Sequence, residues 1–191
     1  MLQPKTEGEL DLVDSLVEAA HERPLAAITM VGRDAVLATE RSSWGENALQ
    51  AASHLGHQRL LAHLRRIGVL LDIFAACAGG DLDLIRSEWR GEFAGATGIH
   101  DLPLLHFAVV SRDPAVVELL LGLGATPNPP GASLSPLHTA VAVASAAMIE
   151  RLLMAGANAS AVDAFGSTPL DWACELWGPD SHMLRLLAAA G

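Results

Sequence analysis

Tyrosine is absent from this 191-residue chain, aromatic residues make up only 4% of it, and lysine occurs once, at Lys5. Each shortage excludes something. With so few rings, the core has to be built from alanine and leucine, which suits closely packed helices. Bases number 12 against 22 acids, and Arg65-Arg66 is the one adjacent basic pair. Grasping a phosphate backbone needs clustered Lys and Arg, so no nucleic-acid partner is expected. The longest weakly polar run, Thr139 to Ile149, falls well short of the roughly 20 residues that cross a bilayer, so no membrane partner is expected either. The opening MLQPKTEGEL is polar and acidic where a secretory signal would be basic and then apolar. GxSxG, HExxH and CxxC are all missing, and the paired glycines follow no strand. The reading is therefore of no cofactor, no metal site and no phosphate loop.

What is present is an alanine recurring at Ala19, Ala52, Ala76, Ala108, Ala140 and Ala173, with intervals of 33, 24, 32, 32 and 33 residues. A leucine or isoleucine lies three residues before each: Leu16, Leu49, Ile73, Leu105, Leu137 and Leu170. Self-similarity at this period signals stacked helix pairs. Ser135 and Thr168 are good N-caps, and Pro136 and Pro169 then occupy the first helical position, where a missing N–H is harmless. Gly56 and Gly80 fall at the first turn. Second helices follow with one apolar face each, such as Leu60, Leu61 and Leu64, or Val116, Val117, Leu120 and Leu121. Gly68, Gly124 and Gly156 then stand where a left-handed C-terminal cap belongs. The 24-residue interval arises because the loop after Gly68 is missing and the chain runs almost directly into LLDIFAA.

Cys77 and Cys174 each follow a recurring alanine, which reads as a small buried slot. Three repeats at roughly 10 Å per layer put them on the order of 30 Å apart, far beyond the about 7 Å a disulfide tolerates. Reduced thiols and no export signal point to the cytoplasm.

Helix pairs of about 33 residues, the starts SPLHTA and TPLDWA, Gly56-His57 at the first turn and the LLMAGA end (Leu152–Ala157) resemble ankyrin repeats. WGENALQAASHLGH, LDIFAACAGGDLDLIR and GIHDLPLLHFA are also similar to a bacterial subgroup of ankyrin-repeat proteins. The resemblance implies an all-α, ankyrin-type solenoid of about six stacked helix–turn–helix repeats joined by short loops or hairpins. The expected layout is a polar N-terminal tail over 1–11 and a single repeat domain over 12–191. Its units span 12–44, 45–68, 69–100, 101–132, 133–165 and 166–191. The departures are Asp171 in place of His, Asp101 where a loop glycine is usual, and a two-residue insertion around Gly178-Pro179.

The resemblance also implies two functional surfaces, loop tips and the concave face of the first helices. Trp44, His100 and Phe165 occupy tips, and exposed aromatics there are typical interface anchors. On the concave face, Phe107, Val110, Val143, Trp172 and Leu176 are expected to form an exposed apolar strip, which usually marks a binding surface. The leading expectation is a non-catalytic scaffold that binds a so far unidentified protein through Trp44, Phe107, Val110, Val143, Phe165, Trp172 and Leu176, with self-association through the strip as a lesser option. The alternative is a small-molecule binder or enzyme using His54, Asp72 and His100, with Phe74, in a pocket near the irregular second–third junction. His106 and His138 fall on the TPLH-like pattern and read as structural, whereas His21, His54 and His100 have no such explanation.

Overall fold

The structure, a computed structural model, describes residues 7–190. Of the stretch read as a tail, residues 1–6 lie outside the described residues, and the first helix opens at Glu7. Twelve α-helices follow as six antiparallel pairs: α1 (Glu7–Glu22) with α2 (Pro24–Val31), α3 (Ala48–His54) with α4 (Gln58–Arg66), α5 (Ile73–Gly79) with α6 (Leu82–Glu88), α7 (Leu104–Val110) with α8 (Pro114–Gly122), α9 (Pro136–Ala142) with α10 (Ala146–Met154), and α11 (Pro169–Trp177) with α12 (His182–Ala188). The fold is the all-α solenoid that the alanine period implies.

Helix starts are set by local chemistry. Asn47 and Gln50 form a reciprocal capping box on α3, and Asp72, Asp81 and Asp113 cap α5, α6 and α8 through their carboxylates. Asp171, the departure from His, completes a box on α11: its Oδ2 accepts from the Thr168 N–H at 2.8 Å, and its own N–H donates to Thr168 Oγ1 at 3.2 Å.

The first helices form one row, α1 on α3, then α5, α7, α9 and α11. All six recurring alanines in that row are fully buried, which lets the backbones approach. Histidines lock successive layers. His138 Nε2 lies 2.9 Å from the Ser167 carbonyl, and His57 Nε2 lies 3.3 Å from that of His21.

The short interval has a visible consequence. With no loop between the second and third units, α3 reaches past α5 to touch α7. His106 Nε2 stands 2.8 Å from the His54 carbonyl, and the Gln58 amide donates to the Ser111 carbonyl at 3.2 Å. Gly56 makes the approach possible: a Cβ there would lie 2.5 Å from the Val110 carbonyl oxygen.

The two ends differ. α1 packs its buried Val13, Leu16, Val17 and Ala20 against α2 and α3. At the other end α11 packs on α9 and α12, and no further layer among the described residues covers its outer side. Leu170 and Cys174 are therefore exposed although their register matches buried positions in earlier units. Cys77 is buried as expected, and Cys174 is not. Burial, with the charge of Asp72 adding, pushes the Cys77 thiol well above the usual thiol range. None of the described helices is long and apolar enough to cross a membrane.

Candidate functional site

The loop tips are held by short hydrogen-bonded hairpins. Ser42 N–H donates to the Glu46 carbonyl at 2.7 Å, Gly45 turns the chain at φ 90°, and the Ser43 N–H is tied to Asp14 Oδ1 of α1 at 2.7 Å. Trp44 sits at this tip with 54% exposure. The last tip repeats the design around Asp163. Its Oδ1 accepts from the Phe165 and Ser167 N–H groups, both at 2.9 Å, while Oδ2 accepts from the Trp172 indole at 3.0 Å. Desolvation opposes the charged form of Asp163, but these donors outweigh it and hold the carboxyl below the usual range. A fixed turn thus presents Phe165 with 94% of its surface exposed.

The concave face differs from expectation. Phe107, at 1% exposure, and Val110, at 8%, belong to the core. Phe107 turns inward to meet Phe74 edge-on, with ring centroids 5.1 Å apart, and packs beneath Gly98 of the preceding loop. Val110 is covered by the α3–α7 approach at Gly56. The predicted apolar strip is therefore broken at the fourth unit, and these two residues are unavailable to a partner. Val143 and Trp172 are half-buried, with Trp172 5.2 Å edge-on from His138, and Leu176 is exposed. Leu170 and Trp177 join them as exposed apolar groups at the C-terminal end, and sequence reasoning missed both. The register assigned Leu170 to the core, where it would sit if another layer covered it.

At the other end of the face three histidines converge on one carboxylate. His21 and His54 end α1 and α3 at the same register position, and their ring centroids lie 5.2 Å apart. His100 comes from the tip before α7 and meets His54 edge-on, also at 5.2 Å. Both His100 and Asp101, which replaces the usual glycine, take left-handed backbone conformations at φ 58° and 55°. Between the rings lies Glu46, with 3% of its side chain exposed. His21 Nε2 is 3.3 Å and His100 Nε2 3.7 Å from its Oε2, and His54 Nδ1 is 3.2 Å from its Oε1. Burial pushes His54 down to about 4; the Gln50 carbonyl pulls the other way, and the neighbouring imidazoles push it further down. This group opens into a cleft of about 850 Å³ rimmed by Trp44, Glu18 and Glu22.

Asp72 does not join this group, contrary to the expectation that paired it with His54 and His100. It faces a separate cleft of about 340 Å³ with Phe74, Phe107 and Ile99, and its carboxylate caps α5. The expected single pocket is thus two clefts, and Glu46 in place of Asp72 meets the histidines. Glu46 reads in sequence as an ordinary loop acid; only the fold of the Ser42–Glu46 hairpin turns it inward. His21, Glu46 and His54 have donor atoms within 4.8 Å of one another, a set able to hold a metal ion.

Residues 101–191 match the family model for ankyrin repeats (3 copies). That region is built of ankyrin repeats. The match covers α7 to α12; the earlier units carry the same buried alanine register and helix pairing without falling inside it. Among curated proteins, the chain is similar to Protein PhlB of Serratia liquefaciens, 36% identical over 102 residues. The aligned region takes in 52% of the chain and 45% of that relative, so the chain spans less than half of PhlB. Ankyrin repeats generally bind other proteins.

Proposed function

We propose that this ankyrin-repeat protein is a non-catalytic scaffold that holds a segment of another protein against its loop tips and the C-terminal part of its concave face. The observation that carries the reading is Phe165, a large ring almost wholly in solvent on a turn fixed by three hydrogen bonds to Asp163. An exposed aromatic held rigidly costs little further entropy on binding, which is the usual property of an interface anchor. Trp44 offers a second such ring, while Val143, Trp172 and Leu176 supply the apolar floor nearby. The two free thiols favour a reducing compartment, and we place the protein in the cytoplasm.

The test is affinity capture from the native host with the wild-type chain and a Phe165→Ala/Trp44→Ala double variant. Neither ring supports the core, so the thermal transition should move by less than about 1 kcal/mol equivalent. Captured partner should fall at least tenfold. Undiminished capture by the well-folded double variant would remove the tips from the binding surface.

A further inference from the structure

Glu46 is a buried carboxylate whose Oε1 makes no hydrogen bond. The 3.2 Å approach of His54 Nδ1 is not one, because that nitrogen is already turned to the Gln50 carbonyl at 3.1 Å. His21 also meets a backbone carbonyl, but through the nitrogen that faces away from Glu46. Its Nδ1 sits 2.9 Å from the Val17 carbonyl and so carries the proton of the neutral ring. Its Nε2 lone pair then faces the lone pairs of Glu46 Oε2 at 3.3 Å. Two such acceptors stay together only with a positive centre between them, and a buried carboxylate needs one in any case. The cleft outside adds Asp11, Asp14, Glu18 and Glu22, with no Lys or Arg in its lining, so its field draws cations inward.

We propose that His21, Glu46 and His54, completed by His100 at the mouth, form a binding site for a zinc-class divalent cation. Zinc bonds of about 2.0–2.2 Å to nitrogen and oxygen imply donor–donor edges of roughly 3.3–3.5 Å in a tetrahedron. The contacts of His54 to Oε1 and of His21 to Oε2 of Glu46, 3.2 and 3.3 Å, are close to that edge length, and His100 stands farther off at 3.7 Å from Oε2. Imidazole nitrogen selects a transition-series cation over magnesium or calcium, and zinc imposes no geometry of its own. The Val17 carbonyl fixes the His21 tautomer, as the outer partners of metal-bound histidines do. His54 binds through Nδ1 by giving up its hydrogen bond to the Gln50 carbonyl and moving that proton to Nε2. The sequence hides this set because its members come from three successive units and share no short motif. The site pins α1, the Ser42–Glu46 hairpin and the tip before α7 together, and it stands independently of the tip-binding reading above.

The experiment titrates the chelator-stripped full chain with ZnCl2 by calorimetry, with Co2+ absorption as a report on geometry. We expect one zinc per chain, the visible bands of a tetrahedral cobalt site, and a thermal midpoint that rises with zinc. His21→Gln should weaken binding at least roughly a hundredfold, and His100→Ala about tenfold. Both residues are partly exposed, so these variants keep the wild-type circular dichroism even where Glu46→Gln fails to fold. His182→Ala, on exposed α12 surface, should bind as wild type. Absence of stoichiometric uptake at micromolar concentrations would overturn the site. Unchanged affinity in His21→Gln, or loss of affinity in His182→Ala, would overturn it equally.

Discussion

His106 shows how much a single side chain carries in this stack. It is buried, with Nδ1 2.9 Å from the Thr139 hydroxyl and Nε2 2.8 Å from the His54 carbonyl. Burial pushes its imidazole down to about 4, against a smaller upward pull from that carbonyl. Between pH 6.5 and 4 the unfolded chain therefore binds a proton that the folded chain refuses. Stability is full above about pH 7 and falls as pH drops through that window, by roughly 3 kcal/mol at its acid end. Urea midpoints of the metal-free protein, measured from pH 7 down to 5, should decline steadily before the carboxylates begin to titrate, with His54, also pushed down to about 4, contributing to the same decline; a flat profile would mean that neither ring is held neutral. That His106 and His138 are structural was legible from their place in the TPLH-like pattern. That Phe107 is core was not. The pattern gives which side of a helix a residue occupies, but the Gly98 loop that covers that side comes from the preceding unit.

At the scale of the helices, the caps, turns and buried register follow from local sequence and are the best-read part of the molecule. The junction of the second and third units is different. The 24-residue interval shows that a loop is missing, but only the folded chain shows α3 meeting α7 through it. Gly56 makes a sharp test of that contact. It needs both a left-handed backbone, φ 67°, and space where a Cβ would collide with the Val110 carbonyl. Gly56→Ala should cost on the order of 2–4 kcal/mol. The same change at Gly68, which is also left-handed but has nothing near its missing Cβ, should cost about 1 kcal/mol. Equal costs by chemical denaturation would mean that α3 and α7 part more easily than the structure indicates.

The whole molecule has a polarity that composition alone foreshadowed. Residues 1–46 hold 9 acids and 4 bases, and the acidic cleft lies at that end, while α11 at the other end carries the exposed Leu170, Leu176 and Trp177. The charge gradient was legible, whereas the convergence of His21, His54 and His100 on Glu46 required the register of three layers at once. The α3–α7 contact bears on the array as a whole. In a solenoid where each unit meets only its neighbours, stability is a sum of nearest-neighbour terms, and melting can begin at any weak link. Here the second and fourth units are bonded directly through His106, Gln58 and Gly56. The third unit, clamped between them, cannot unzip by itself. Opening the third unit requires parting the second from the fourth, so the array holds a clamped central block in place of six equivalent links.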